Sequence, residues 1–592
     1  MTDEEYDERN DFDIQNISKA SKDHYRRIKS RLEKISVAPG EKGKFQNWGD
    51  DVFLEERCFP ELFPFGVGGY LSRLLDNEEH NVGFAQYVKH RILSADSKYR
   101  RNSAYIFFLL LVKEMIQLKR CKQTYLRQAT KMPNLTKETI KNLNKEDLTR
   151  YNRSYQVFKT MRGTSMYYEE AKKNVMAALR QNGSPTLFLT LSCAEYCWEG
   201  LLQEILETVK GRKVTKQEIN ELTPQQRNKL ISENVVQSTL HFQKRIEKEL
   251  KLMQYPSFLA DDCPYSVSSY FYRVEFQMRG APHLHCLLWL EDDKGNQAPT
   301  FWNAEKDQIC DIATKMKNIE NLATSLISGC EDDMMCEEHL KELQENKDKT
   351  QENNCLECYS SIHNFEKCIK HSFPFVFNCE KCESQKKLIQ KFQTHNHTFT
   401  CKKKKKGITI RANEGHGRLN DKKEGPQISD YTECRFNFPQ FPMNRTKLIL
   451  GIPKDIDKNE LSMQKADLKK IKKFLIREIY SQDNDESEKL DKFKKTTFIQ
   501  FLYNVGMFKE NKTLKEFNDN EKQAAYQRYL NALSVSVRGT GAIFLKRNPK
   551  DVLTNNFNRR LMSVHKANHD VQVVIDQVFF FSFFPFLLLR YF

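Results

Sequence analysis

The stretch VEFQMRGAPHLHCLLWL, residues 274–290, constrains the fold more than any other part of the chain. Arg279, Gly280, Ala281 and Pro282 form a tight corner, flanked by aromatic, aliphatic and β-branched residues. Residues 266–278 and 283–290 therefore read as two strands joined by a short turn. In a strand, residues i and i+2 project from the same face. His283 and His285 then stand side by side, with Leu284 and Cys286 on the opposite, apolar face. Glu275 and Gln277 share a face of the upstream strand, so one of them can offer an oxygen to the imidazoles. Two nitrogens and an oxygen, with positions left open, suit Mg2+ or Mn2+ that also holds a phosphate. Two core histidines with satisfied N–H groups would show the same spacing.

The surrounding periodicities place this hairpin in an α+β fold. Residues 104–120, AYIFFLLLVKEMIQLKR, read as a buried helix with a basic end. Residues 164–183 read as an amphipathic helix stopped by Gly183, and SPTLFLTLSC at 184–193 as a buried strand. A second long helix spans 234–253, with apolar positions at Val235, Phe242, Ile246, Leu250 and Met253. Helix, strand, helix and hairpin predict a small antiparallel sheet with flanking helices. Further on, 455–480 reads as a charged helix, 494–533 as a helical pair and 534–548 as a strand–turn–strand. Residues 58–70 read as an ordered loop, and 132–148 as a polar helical connection.

Charge bears on the partner. Lys and Arg number 95 against 79 Asp and Glu, a formal net charge of +16. That excess favours a polyanion such as nucleic acid, although a lysine-rich solvated surface has the same composition. The first thirty residues contain no apolar signal core, so the 16 cysteines are expected as thiols or metal ligands rather than disulfides.

Ten of those cysteines lie between Cys310 and Cys434. Cys355-x-x-Cys358 and Cys379-x-x-Cys382 have the spacing of a four-thiolate zinc site. His395, His397, Cys401 and Cys434 offer a second, mixed ligand set. Zn2+ would supply stability that a short polar insertion lacks. The run Lys402, Lys403, Lys404, Lys405 and Lys406 would then be placed to meet phosphates, as would Arg279 at the hairpin corner. The bland reading is a loosely folded insertion with free thiols and a solvated lysine run.

Several words taken together resemble a known family. EFQ followed by RGAPHLH resembles the His-hydrophobic-His motif of rolling-circle (HUH) endonucleases, specifically the Helitron transposases. NGSPTLFLTLSCAEYCW at 182–198 is similar to the first core strand motif of that family. THNHTFTCKKKKKG and then CRFNFPQFPM at 434–443 resemble its metal-finger-like segment. FLKRNPKDVLTNNFNRRLMSVHKANHDVQVVID at 544–576 resembles the stretch leading to its catalytic tyrosines. The resemblance runs through residues 58–576.

It implies a Rep-type fold, a central antiparallel sheet carrying the His pair with helices behind it. In the family a metal ion polarises a phosphodiester of single-stranded DNA at transposon ends. A tyrosine attacks the phosphorus, forming a 5′-phosphotyrosine and releasing a 3′-hydroxyl. The resemblance makes His283 and His285 metal ligands, with Gln277 the preferred third ligand and Glu275 in reserve. It also implies a nuclear location.

After Gln577 the resemblance breaks off. VFFFSFFPFLLLRYF follows, with no paired-tyrosine helix, and Tyr591 is not expected to be the nucleophile. No G-x-x-x-x-G-K-[ST] phosphate loop occurs, so no helicase or ATPase motif is present. The expectation is a shortened transposon-derived protein that keeps the metal- and DNA-holding half of a nicking site and lacks its tyrosine. The alternatives are a catalytically inactive DNA-binding protein of the same fold, or a zinc-organised interaction protein. The apolar tail is shorter than the ~20 residues of a spanning helix and contains Pro585, so no membrane partner is expected. The expected organisation is a disordered arm (1–45), an N-terminal helical region (46–154), an HUH-like core (155–300), a Cys/His-rich insertion (301–443), a C-terminal Rep-like part (444–577) and an aberrant tail (578–592).

Overall fold

A computed structural model describes residues 51–76, 82–129, 156–162, 164–256, 258–260, 263–276, 280–300, 312–331, 380–396, 401–404, 431–453, 455–480, 492–509 and 512–575. The arm expected at 1–45, the connection at 132–148 and the tail at 578–592 lie outside the described residues. The chain divides into two compact units that interleave in sequence. One comprises 1–171 and 195–241, the other 172–194 and 242–592.

The first unit is helical among its described residues. Helices 84–93 and 103–129 pack with the 58–70 loop around Phe59, Phe63, Tyr87, Tyr99, Tyr105 and Leu109. Two acids are buried within this aromatic core. Glu55 accepts from the Tyr70 amide at 2.8 Å, from the Tyr87 hydroxyl at 2.6 Å and from the Tyr105 hydroxyl. Glu56 accepts from the Gly69 amide at 2.6 Å. A Cβ at Gly69 would lie 2.6–2.7 Å from that carboxylate, so the close approach requires glycine. Helix 199–210 follows and stops at Gly211, which takes the left-handed conformation with φ 65°.

The second unit carries the sheet. Its strands are β1 (Leu187–Ser192), β2 (Tyr265–Phe276), β3 (Pro282–Asp292) and β8 (His569–Val573), all paired antiparallel in the order β2-β3-β1-β8. Four short strands pair elsewhere: β4 (Lys402–Lys404) with β5 (Tyr431–Cys434), and β6 (Lys447–Leu450) with β7 (Gly541–Phe544). The helices used below are α1 (Ser165–Asn182), α2 (Val235–Met253), α3 (Ile312–Leu326), α4 (Glu380–Phe392), α5 (Lys458–Tyr480), α6 (Phe498–Val505), α7 (Asp519–Ser534) and α8 (Arg559–His565).

Strand alternation sorts the sheet into two faces. Leu187, Leu189 and Leu191 of β1, Leu284, Cys286, Leu288 and Leu290 of β3, and Val571 of β8 form one buried apolar face. The other face divides along its length. At one end Phe188, Leu287, Trp289 and Val574 are covered by Val175, Ala178 and Leu179 of α1. Trp289 also donates its indole N–H to the Gly183 carbonyl at 3.0 Å. At the other end stand His283, His285, Glu275, Thr190, Ser192 and Asp570. Away from the sheet, a larger core forms where Ile471 and Leu475 of α5, Phe501 and Leu502 of α6, and Tyr526, Tyr529 and Leu533 of α7 meet.

The mixed α+β expectation holds. One local expectation does not. Residues 534–548 are not a strand–turn–strand: Ser534 ends α7, a turn follows, and only 541–544 is a strand. Burial of Ala532 and Leu533 keeps the helix running to Ser534, the chain turns at Val535 and Ser536, and β7 pairs with distant β6 rather than with a neighbour.

Candidate metal centres

The hairpin register sets the first site. His283 lies opposite Glu275 on β2 and Ser192 on β1, and His285 lies opposite Arg273 and Thr190. Cross-strand partners share a face, so these four polar side chains and the two imidazoles converge there. The rings of His283 and His285 are 4.7 Å apart at 78°, edge to face. His285 also stacks on Phe188 at 5.7 Å and 12°, where the α1-covered part of the face begins.

Both rings are held from β1. Ser192 Oγ is 3.0 Å from His283 Nδ1, and Thr190 Oγ1 is 3.2 Å from His285 Nδ1. If each Nδ1 carries the hydrogen, each Nε2 keeps its lone pair, the state a metal ligand needs. Glu275 Oε2 is 3.7 Å from His285 Nε2. Bonds of ~2.1 Å to a shared cation place neighbouring ligand atoms ~3–4 Å apart, so this pair fits. Burial pushes the Glu275 carboxyl up, but the hydrogen bond and charge of His285, with Arg273 and His283, outweigh it and hold the group below the usual carboxylate range. Glu275 is thus the oxygen that the structure brings to the pair. Gln277 and Arg279 lie outside the described residues.

Sequence reasoning missed Asp570. It sits on β8 opposite Thr190, two strands from His285 and on the same face. Its Oδ1 is buried without a hydrogen-bond partner, while Oδ2 accepts from Gln572. Burial pushes its pKa up to about 6, against the pull of Gln572, Arg547 and His285. The available signal was the alternation of Asp570 and Gln572 with apolar Val571 and Val573. A folded pKa above the unfolded value means that charging Asp570 opposes folding. Stability is therefore expected to fall as pH rises from about 4 to about 6. Asp570→Asn should remove that slope and raise stability at pH 7.5 by on the order of 1 kcal/mol, read from denaturant melts across pH.

The second site forms where β4 and β5 pair. Lys402 opposite Cys434 brings Cys401 beside Cys434. His395, just after α4, completes a trio whose ligand atoms all lie within 4.8 Å of one another. His395 Nε2 is 3.5 Å from Cys434 Sγ, a separation that bonds of ~2.0 and ~2.3 Å to one tetrahedral zinc would give. The His395 ring stacks on Phe438 at 4.5 Å and 11°, and its amide donates to the Leu553 carbonyl at 2.8 Å. Cys434 Sγ accepts from the Phe436 amide at 3.4 Å. Burial pushes the Cys434 thiol up and Cys401 adds to this, while the Phe438 and Phe436 amides pull the other way. Burial lowers the His395 pKa, leaving the ring neutral near pH 7 with a lone pair to offer.

Of the other expected zinc ligands, Cys355, Cys358, Cys379 and His397 lie outside the described residues. Cys382 is on α4, but its side chain does too. Lys402, Lys403 and Lys404 form β4 without described side chains, and Lys405 and Lys406 lie outside.

Residues 84–288 match the family described as Helitron helicase-like domain at N-terminus. The Helitron-like match contains β1, β2 and most of β3, and so the His pair and Glu275. It stops short of β8 and of the Cys401–Cys434 site. No curated protein and no solved structure matches the chain. Among the described residues no helix is long and apolar enough to cross a membrane.

Proposed function

We propose that the Helitron-like domain is an HUH-type module that grips single-stranded transposon DNA through a divalent cation. His283, His285 and Glu275 hold Mg2+ or Mn2+, and the bound cation would polarise a phosphodiester oxygen. The observation that supports this best is the pair of hydroxyl contacts that hold both imidazoles by Nδ1, with Glu275 Oε2 3.7 Å from His285 Nε2. Ser192 and Thr190 orient the rings, Glu275 contributes negative charge, and the α1-covered end of the face keeps water from the site on that side. No residue is assigned as nucleophile, so the reading is strand binding, with nicking dependent on a tyrosine yet to be placed. A nuclear location follows from such a substrate.

The test is single-stranded DNA binding and cleavage with and without Mn2+. Wild type should bind more tightly with Mn2+, and His283→Ala should lose most of that gain, about tenfold or more. Equal Mn2+ response in wild type and His283→Ala would overturn the reading.

A second reading concerns the His395, Cys401 and Cys434 trio. Its 4.8 Å grouping favours a structural Zn2+, with a fourth ligand supplied from the remaining Cys/His positions or by water.

A further inference from the structure

A buried charged chain ends on the residue that orients His283. His565, at the end of α8, and Glu249, on α2, are fully enclosed, with side-chain exposures of 0% and 2%. His565 Nδ1 is 2.9 Å from Glu249 Oε2. Arg245, one turn earlier on α2, places Nε 3.1 Å from Glu249 Oε1 and donates to the His565 carbonyl at 2.8 Å. On the other side of the ring, His565 Nε2 is 3.0 Å from the Ser192 carbonyl oxygen. A carboxylate and a carbonyl only accept, so both His565 nitrogens donate.

Neighbouring His569 is bonded differently. Its Nε2 accepts from the Asn558 amide at 3.1 Å, and burial, with the charge of His565 adding, holds its pKa down to about 3. The Ser192 amide donates to the Asn568 carbonyl at 2.9 Å. Segment 565–568 thus fixes both backbone groups of Ser192, whose hydroxyl meets His283 Nδ1 at 3.0 Å.

A buried charge chain of this kind is expensive. Apolar residues of similar volume would stabilise a fold at least as well. Its end point on Ser192 gives it a use that packing alone would not need.

We propose that Arg245, Glu249 and His565 are positioning residues for His283. They hold the Ser192 carbonyl, so that the Ser192 hydroxyl keeps His283 Nδ1 engaged and fixes the orientation of the ring. This inference rests on the metal reading above. Sequence spacing gives no hint of it, because Glu249, His565 and Ser192 are far apart in the chain.

A double-mutant cycle on the full chain tests it, with Mn2+ affinity from calorimetry and melting temperature measured on the same samples. Ser192→Ala and His565→Gln should each weaken Mn2+ binding about tenfold. In the Ser192→Ala background, His565→Gln should cost no further affinity while still lowering the melting temperature. That split separates positioning from a purely structural role. Glu249→Gln, which keeps an acceptor for Nδ1, replaces His565→Gln in the cycle if the latter does not fold. If wild type binds Mn2+ and the α8 variant costs the same affinity with or without the Ser192 hydroxyl, the inference is overturned. Unchanged affinity with a lowered melting temperature overturns it too. If wild type binds no Mn2+, the metal reading itself falls, and the inference with it.

Discussion

Cys434→Ser is expected to strip zinc from the protein and lower its melting temperature by roughly 10 °C, a loss of about 3 kcal/mol or more. The size follows from what the trio joins. His395 comes from the end of α4, Cys401 leads into β4 and Cys434 ends β5. These segments tie back to the region before α8. His395 donates to Leu553, Gln440 to Val552 at 2.7 Å, and Asn555 to Gln393 at 2.7 Å. Asn555 in turn donates its side-chain amide to the His569 carbonyl at 3.1 Å, so the segment that carries the trio reaches β8. Without metal, burial keeps the Cys434 thiol protonated and the His395 imidazole neutral. With zinc they become ligands, and metal binding releases protons, so affinity should rise with pH. Elemental analysis and thermal melts, with and without a chelator, check this. A protein that purifies without zinc, and whose melt a chelator leaves unchanged, would sink the idea.

The zinc trio also marks what the sequence could and could not say. Cys401 and Cys434 were legible as candidate ligands because thiols and imidazoles cluster in that segment. Which of eight candidates meet depends on the pairing of Lys402 with Cys434 across a long intervening stretch, and spacing does not encode that. The hairpin was legible for the opposite reason. Its partners are local, the Gly280 corner fixes the turn, and period-two alternation assigns every face from His283 to Leu290. β8 lay between these cases. Its apolar positions read as a strand, but only its antiparallel pairing with β1 brings Asp570 to the His face. The false strand at 534–540 came from trusting β-branched residues over the burial of the preceding helix. The interleaving of the two compact units leaves no compositional trace, since both draw on similar helices.

Exchanging the chemistry of two adjacent residues on β3 should give opposite results. Leu284 is fully buried on the apolar face, and His285 beside it points to the polar one. Leu284→Asp places a carboxylate on the buried apolar face beside Leu191 and Val274. A cost of about 4 kcal/mol or more is expected, enough to unfold the sheet-bearing unit. His285→Phe changes the other face. The new ring can keep the stack on Phe188, while Thr190 Oγ1 loses its Nδ1 partner but stays near solvent. Stability should move by no more than about 1 kcal/mol, because stacking is retained and one hydrogen bond is lost. Mn2+ affinity should fall about 100-fold, since no ring nitrogen remains to face Glu275. Urea melts and calorimetry on the two variants give both numbers. If His285→Phe unfolds the protein as badly as Leu284→Asp, the imidazole is a structural core group and the cation reading fails. If His285→Phe folds normally and loses Mn2+, the face that α1 leaves open has no structural need for its imidazoles, and holding a cation is what keeps them there.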